Sequence, residues 1–115
     1  MDRTIDRLEL KAMLDRGEHV TLVEALPEPY YRKAHLPGAI NVLHDQVDAL
    51  APILLPDKTA PIVVYCANQA CENSTIAMRR LVELGYTAVR DYVAGKQDWI
   101  DGGLPVERGA HAHAA

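Results

Sequence analysis

Ile62-Val63-Val64-Tyr65-Cys66-Ala67-Asn68-Gln69-Ala70-Cys71-Glu72-Asn73-Ser74 carries an apolar run into a cysteine and then into a polar loop. The four residues before Cys66 offer no charged side chain to either face, the pattern of a central strand in a parallel sheet covered on both sides. Beyond the loop, Ala77, Leu81 and Leu84 recur at helical spacing and Gly85 stands at the C′ position, so a helix is predicted from about Ser74 to Leu84. Cys66 therefore occupies a strand-to-helix turn. At such a turn, successive backbone N–H groups and the positive end of a helix dipole can hold a thiolate, which makes Cys66 the candidate nucleophile.

Outward from this stretch the chain alternates helical and extended patterns. Asp6 reads as an N-cap with Glu9 three residues on, and Leu10, Met13 and Leu14 form an apolar stripe that Gly17 ends. Val20-Thr21-Leu22-Val23 predicts a strand, after which Pro27 and Pro29 turn the chain. Ala39-Ile40-Asn41-Val42 predicts a shorter strand behind the turn signal Pro37-Gly38. Val47 to Leu55 is apolar with a mixed period that Pro52 interrupts, a short helix or an irregular connection. Ala88 to Tyr92 predicts the next strand, followed by a loop at Ala94-Gly95 and a short helix around Trp99. This alternation with short links implies a parallel sheet with right-handed crossovers, in which ligands bind beyond the carboxyl ends of the strands. Cys66 lies at such an end.

Composition narrows the classes of function. The 115 residues, 49% of them hydrophobic, suffice for one domain with a single core. We expect that domain over 1–108 and a disordered tail over 109–115, where His111 and His113 lack the further ligands that a metal site needs. A formal charge of -4 argues against a nucleic-acid footprint and against a polybasic membrane patch. The first residues lack the apolar core of a signal peptide and no stretch approaches membrane-spanning length, so a soluble, cytoplasmic protein is expected. Two cysteines do not make a disulfide scaffold, and a reducing compartment would keep them as thiols.

Three motifs in order carry a resemblance. Ala34-His35-Leu36-Pro37-Gly38-Ala39-Ile40-Asn41, then Val63-Val64-Tyr65-Cys66 before a helix, then Gly95-x-x-x-Trp99 with Gly103-Leu104-Pro105-Val106 resemble a single-domain rhodanese-like protein from about Ile5 to Val106. The resemblance implies an α/β fold, a mainly parallel five-stranded sheet flanked by helices on both faces. It also implies sulfurtransferase activity, in which sulfane sulfur is carried as a persulfide on Cys66. Thiosulfate or a thiol persulfide would be the donor, and a thiol, a protein acceptor or cyanide the acceptor. The substrate-binding loop would comprise Ala67, Asn68, Gln69, Ala70, Cys71, Glu72, Asn73 and Ser74, with no metal or organic cofactor.

The loop departs from the family pattern C-R-x-G-x-R-S. It offers Ala67, Gln69 and Cys71 instead, is longer, and adds the acidic Glu72, so thiosulfate is expected to be a poor donor and a bulkier persulfide a better one. Phosphatases related to this fold use Cys-x5-Arg; Glu72 stands at that arginine's position, so no useful phosphatase activity is expected. Cys71 either resolves an oxidised or persulfidated Cys66 or packs beneath the loop, and the sequence leaves both open. Glu24 and Leu26 stand where the family usually has Asp-x-Arg, which predicts the loss of a polar brace near the active-site face. His35 is read as a structural hydrogen-bonding residue of its turn, and Trp99 as a core or pocket-wall residue. Two classes of function follow: a sulfur-transferring enzyme or carrier, and a redox-sensing or protein-interaction module of the same fold.

Overall fold

Asp6 starts the first helix by accepting the Glu9 backbone N–H at 2.8 Å. This helix, α1, spans Arg7–Asp15 and buries Leu10, and Gly17 at φ +73° ends it. The structure, a computed structural model, describes Arg3 to Gly109. The expected tail therefore lies, beyond Gly109, outside the described residues, and so do His111 and His113.

Strand β1 (Thr21–Glu24) leads to helix α2 (Glu28–Lys33), which the sequence reading did not assign. Pro27 and Pro29 were expected only to turn the chain. They stand instead at the N-cap and in the first turn of α2, where a missing N–H costs no intrahelical hydrogen bond. Strand β2 (Ile40–Asn41) follows, then α3 (Val47–Leu54). Pro52 lies inside α3 without ending it. The Tyr86 hydroxyl donates to the Leu55 carbonyl at 2.5 Å and reaches the Ala51 carbonyl at 3.2 Å, supplying a partner to the end of this short helix.

Strand β3 (Ile62–Tyr65) is buried along its whole length. Helix α4 (Asn73–Glu83) follows the loop, with Gly85 at φ +100° past its end. Strand β4 (Val89–Tyr92) and helix α5 (Gly95–Asp101) complete the order. All strands are parallel in the sequence β2-β1-β3-β4, with Val23 opposite both Ile40 and Val64, and Val64 opposite Asp91. Among the described residues the sheet has four strands where five were expected. At the position beside β4 the chain makes a single bridge, Thr4 to Asp91, because the Asp6 cap commits the next residues to α1.

The alternation of side chains along β3 sorts the core into two layers. Val63 and Tyr65 pack with Leu10, Tyr31, Leu36, Tyr92 and Trp99 on one face. Ile62 and Val64 pack with Val47, Ala51, Ala77 and Leu81 on the other, under α3 and α4. Cys66 continues the Val64 side and so points toward the start of α4.

Candidate active site

Cys66 follows the last residue of β3, at the carboxyl edge of the sheet, and its side chain is fully buried. Its thiol donates to the Cys71 carbonyl at 3.3 Å, and Sγ lies 3.7 Å from Ser74 Oγ. The loop returns over the sulfur because Asn68 folds it: the Asn68 carboxamide oxygen accepts the Ala70 N–H at 3.0 Å, and its carbonyl accepts the Cys71 N–H at 3.1 Å. From below, the first N–H groups of α5 hold the other side of the turn, Lys96 donating to the Cys66 carbonyl and Gln97 to the Ala67 carbonyl, both at 2.8 Å. Gly95 is needed for that approach. At φ +77°, a Cβ there would stand 2.7 Å from the Cys66 carbonyl oxygen and 2.9 Å from the Asn68 nitrogen.

Two influences on the Cys66 thiol oppose each other. Burial, followed by the contact with Cys71, pushes its pKa up to about 11, while the Ser74 N–H and hydroxyl pull it down. With the loop closed, the sulfur is a protonated thiol at neutral pH. Several converging N–H groups are expected around this sulfur; the structure brings the Ser74 N–H to it and sets the Cys71 carbonyl against it.

The candidate loop residues divide accordingly. Cys66, Cys71 and Ser74 come together, with Ser74 buried and Cys71 half-buried. Ala67 and Asn73 are half-buried at the two ends of the loop, and Asn68 is spent on the loop's own turn. Gln69, Ala70 and Glu72 are exposed. Gln69 also lines an open cleft of about 670 Å³ together with Glu9, Arg90, Val93 and Ala94. Among the described residues no group of three or more potential ligands could hold a metal ion.

The polar brace expected to be lost is present, with its cation drawn from another element. Glu24, fully buried at the end of β1, accepts from Lys96 Nζ at 3.0 Å and from the Tyr65 hydroxyl at 2.8 Å. The Tyr65 oxygen in turn accepts the Leu36 N–H at 3.0 Å. Lys96 uses its other two donors on the Ala34 and Tyr30 carbonyls, at 2.7 and 3.1 Å. Burial raises the Glu24 pKa, and the Lys96 charge opposes that shift. Lys96 is the residue that sequence reasoning missed. The available signal was Glu24 itself, a carboxylate at the end of an apolar strand, which requires a cation from somewhere. His35 has the structural role expected of it: Nδ1 donates to the Tyr31 carbonyl at 2.8 Å, and the ring stacks on Tyr31 with centroids 3.9 Å apart.

Comparison with known proteins agrees with this architecture. Residues 6–101 match the family model of the rhodanese-like domain. The HTH-type transcriptional regulator Rv0324 of Mycobacterium tuberculosis is 37% identical over 92% of this chain and 45% of its own. The adenylyltransferase and sulfurtransferase UBA4 of Candida albicans is 31% identical over 76% of this chain and 20% of its own. The crystal structure of thiosulfate sulfurtransferase from Pseudomonas aeruginosa superposes with a TM-score of 0.81 at 23% identity, over 92% of this chain and 20% of that one. The chain thus spans less than half the length of the curated relatives it matches here. A parallel sheet flanked by helices, a cysteine at the carboxyl end of its central strand and a family match across nearly the whole fold lead to one assignment: the chain belongs to the rhodanese-like domain family.

Proposed function

We propose that this domain takes up sulfane sulfur as a persulfide on Cys66. The observation that carries this reading is the placement of Cys66 at the carboxyl end of β3, under a loop that ends at Ser74 and the first turn of α4. As a thiolate, Cys66 attacks the outer sulfur of a donor persulfide, the donor's S–S bond breaks, and the donor departs as a thiolate. The Ser74 N–H and hydroxyl favour the anionic sulfur at that moment, and opening of the loop removes the burial that keeps it protonated.

A thiol persulfide suits this loop better than thiosulfate. No cationic side chain stands within Ala67–Ser74, Glu72 is exposed there, and the chain carries a net charge of -4. The acceptor is then a small thiol or a cysteine of a partner protein, and the cytoplasm is the compartment where such thiols stay reduced. The sulfurtransferase UBA4, 31% identical, supports transfer. A second reading, a sulfur- or redox-sensing partner domain, is favoured by the likeness to Rv0324 and by the closed loop over Cys66.

The test is anaerobic incubation with glutathione persulfide or with thiosulfate, followed by intact mass. Gain of one sulfur atom is expected at early times in wild type and in Cys71→Ser, which lacks the second loop thiol, and none in Cys66→Ala, faster with the persulfide. No gain with either donor overturns the reading and leaves the partner domain.

A further inference from the structure

The two thiols of the loop form a pair whose chemistry goes beyond carriage. The Asn68 turn folds Cys71 back onto Cys66, so that the Cys66 sulfur touches the Cys71 carbonyl at 3.3 Å. Since a carbonyl oxygen lies about 2.4 Å from its own Cα, Cys66 Sγ is within about 6 Å of the Cys71 Cα. The Cys71 side chain also interacts with the Cys66 thiol, which places the second sulfur beside the first. Both cysteines are free thiols, and they are near enough to interact electrostatically. Cys71 is half-buried and Cys66 fully buried, so solvent and external thiols reach Cys71 first.

Resting on the persulfide reading, we propose that Cys71 attacks the inner sulfur of the Cys66 persulfide, forming a Cys66–Cys71 disulfide and releasing the carried sulfur as hydrogen sulfide. Cys71 gives its proton to solvent. Its sulfur bonds to Cys66 Sγ, the persulfide S–S bond breaks, and its electron pair leaves with the outer sulfur as hydrosulfide. The two cysteine sulfurs are oxidised together by two electrons, and the sulfane sulfur is reduced by the same two. An external dithiol then restores both thiols.

The site also favours this branch over attack on the outer sulfur. Outer attack must expel Cys66 as a thiolate inside a pocket that burial makes hostile to that charge, raising its pKa to about 11. Inner attack expels hydrosulfide, the anion of a stronger acid than an ordinary thiol, and thiol–disulfide exchange runs faster with the better leaving group. The Cys71 backbone also stands against Cys66 Sγ itself, the inner sulfur of the persulfide. The domain would then convert sulfane sulfur to sulfide instead of passing it on intact.

The test uses the full chain, loaded anaerobically with glutathione persulfide, desalted and acid-quenched at intervals. Sulfide is measured with monobromobimane and the protein by intact mass. Wild type is expected to lose the added sulfur without any reductant, to release an equal amount of sulfide and to end with an internal disulfide. Cys71→Ser and Cys71→Ala are expected to retain the added sulfur until dithiothreitol is supplied, with circular dichroism matching wild type. Retention in wild type as long as in both variants, or equal sulfide release from all three, overturns the proposal and leaves the carrier intact. Absence of sulfur uptake in all three overturns the persulfide reading and this one with it.

Discussion

Lys96 Nζ stands 3.0 Å from Glu24 Oε2, and that contact ties the start of α5 to the end of β1 directly beneath the Cys66 turn. The same lysine holds the Cys66 carbonyl through its backbone N–H. One residue thus joins the buried ion pair to the candidate active-site loop.

Removing that cation should make stability depend on pH. Glu24 has its folded pKa raised from 4.5 by burial, so it binds its proton more tightly folded than unfolded, and the stability linked to it falls as pH rises through the window above 4.5. Lys96→Met removes the attraction that limits this rise and moves the window further up. We expect the variant to lose about 3–5 kcal/mol near pH 8 and distinctly less near pH 5, where Glu24 can take up a proton. Urea unfolding at the two pH values checks it; an equal loss at both would show that Glu24 does not titrate against Lys96.

The Cys66 thiol should titrate late. Its folded pKa of about 11 lies above the ordinary 9.0, so the stability linked to the buried neutral thiol is present below pH 9 and is lost as pH rises from there to about 11. In a Cys71→Ser background, which removes one of the contacts that raise it but leaves the burial, iodoacetamide labelling of Cys66 should still accelerate above pH 9. Ser74→Ala removes a donor to the thiolate and should move the midpoint higher still. A midpoint below 9 would mean that the loop is open in solution.

How far the sequence foretold these features depends on whether a signal was local. The β3 strand, the Asp6 cap and the Gly85 stop are written in consecutive residues, and they formed where expected, within a residue or two. Helix α2 was hidden because Pro27 and Pro29 read as breakers from sequence, although the first turn of a helix accepts them. The missing fifth strand is a contest between neighbours that the Asp6 cap wins. Within the site, the position of Cys66 was legible from an apolar run meeting a polar loop. Its burial under the Cys71 carbonyl was not, because the Asn68 turn that causes it depends on how the loop folds back. The Glu24–Lys96 pair joins residues 72 positions apart, and no periodicity carries such a pairing.

Charge in the loop should govern donor choice. Ala67 occupies a position where the family pattern has arginine, and it is half-buried at the base of the loop. Ala67→Arg should raise the rate of sulfur uptake from thiosulfate by about tenfold or more at low salt, with a smaller gain for glutathione persulfide. Added salt should erode the gain, since screening weakens attraction between exposed charges. Loading rates by intact mass at low and high ionic strength check it. A gain equal for both donors would point to loop opening instead of anion attraction.

Two glycines separate backbone strain from the demands of the site. Gly95 and Gly103 have nearly the same dihedral, φ +77° and +73°, so alanine pays a similar left-handed penalty at each, about 1–2 kcal/mol. Their surroundings differ. A Cβ on Gly103 meets nothing within 4 Å, whereas one on Gly95 meets the Cys66 carbonyl at 2.7 Å and the Asn68 nitrogen at 2.9 Å, both backbone atoms. Those atoms move only if the Cys66 turn moves with them, which also breaks the Lys96 and Gln97 hydrogen bonds to that turn. Gly95→Ala should therefore lose more stability than Gly103→Ala by at least about 1 kcal/mol, and should lose most of its sulfur uptake at Cys66. Gly103→Ala should load sulfur as wild type does. Parallel thermal unfolding and intact-mass loading decide the matter: equal stability losses would deny the close approach, and normal loading in a destabilised Gly95→Ala would show that the turn tolerates displacement.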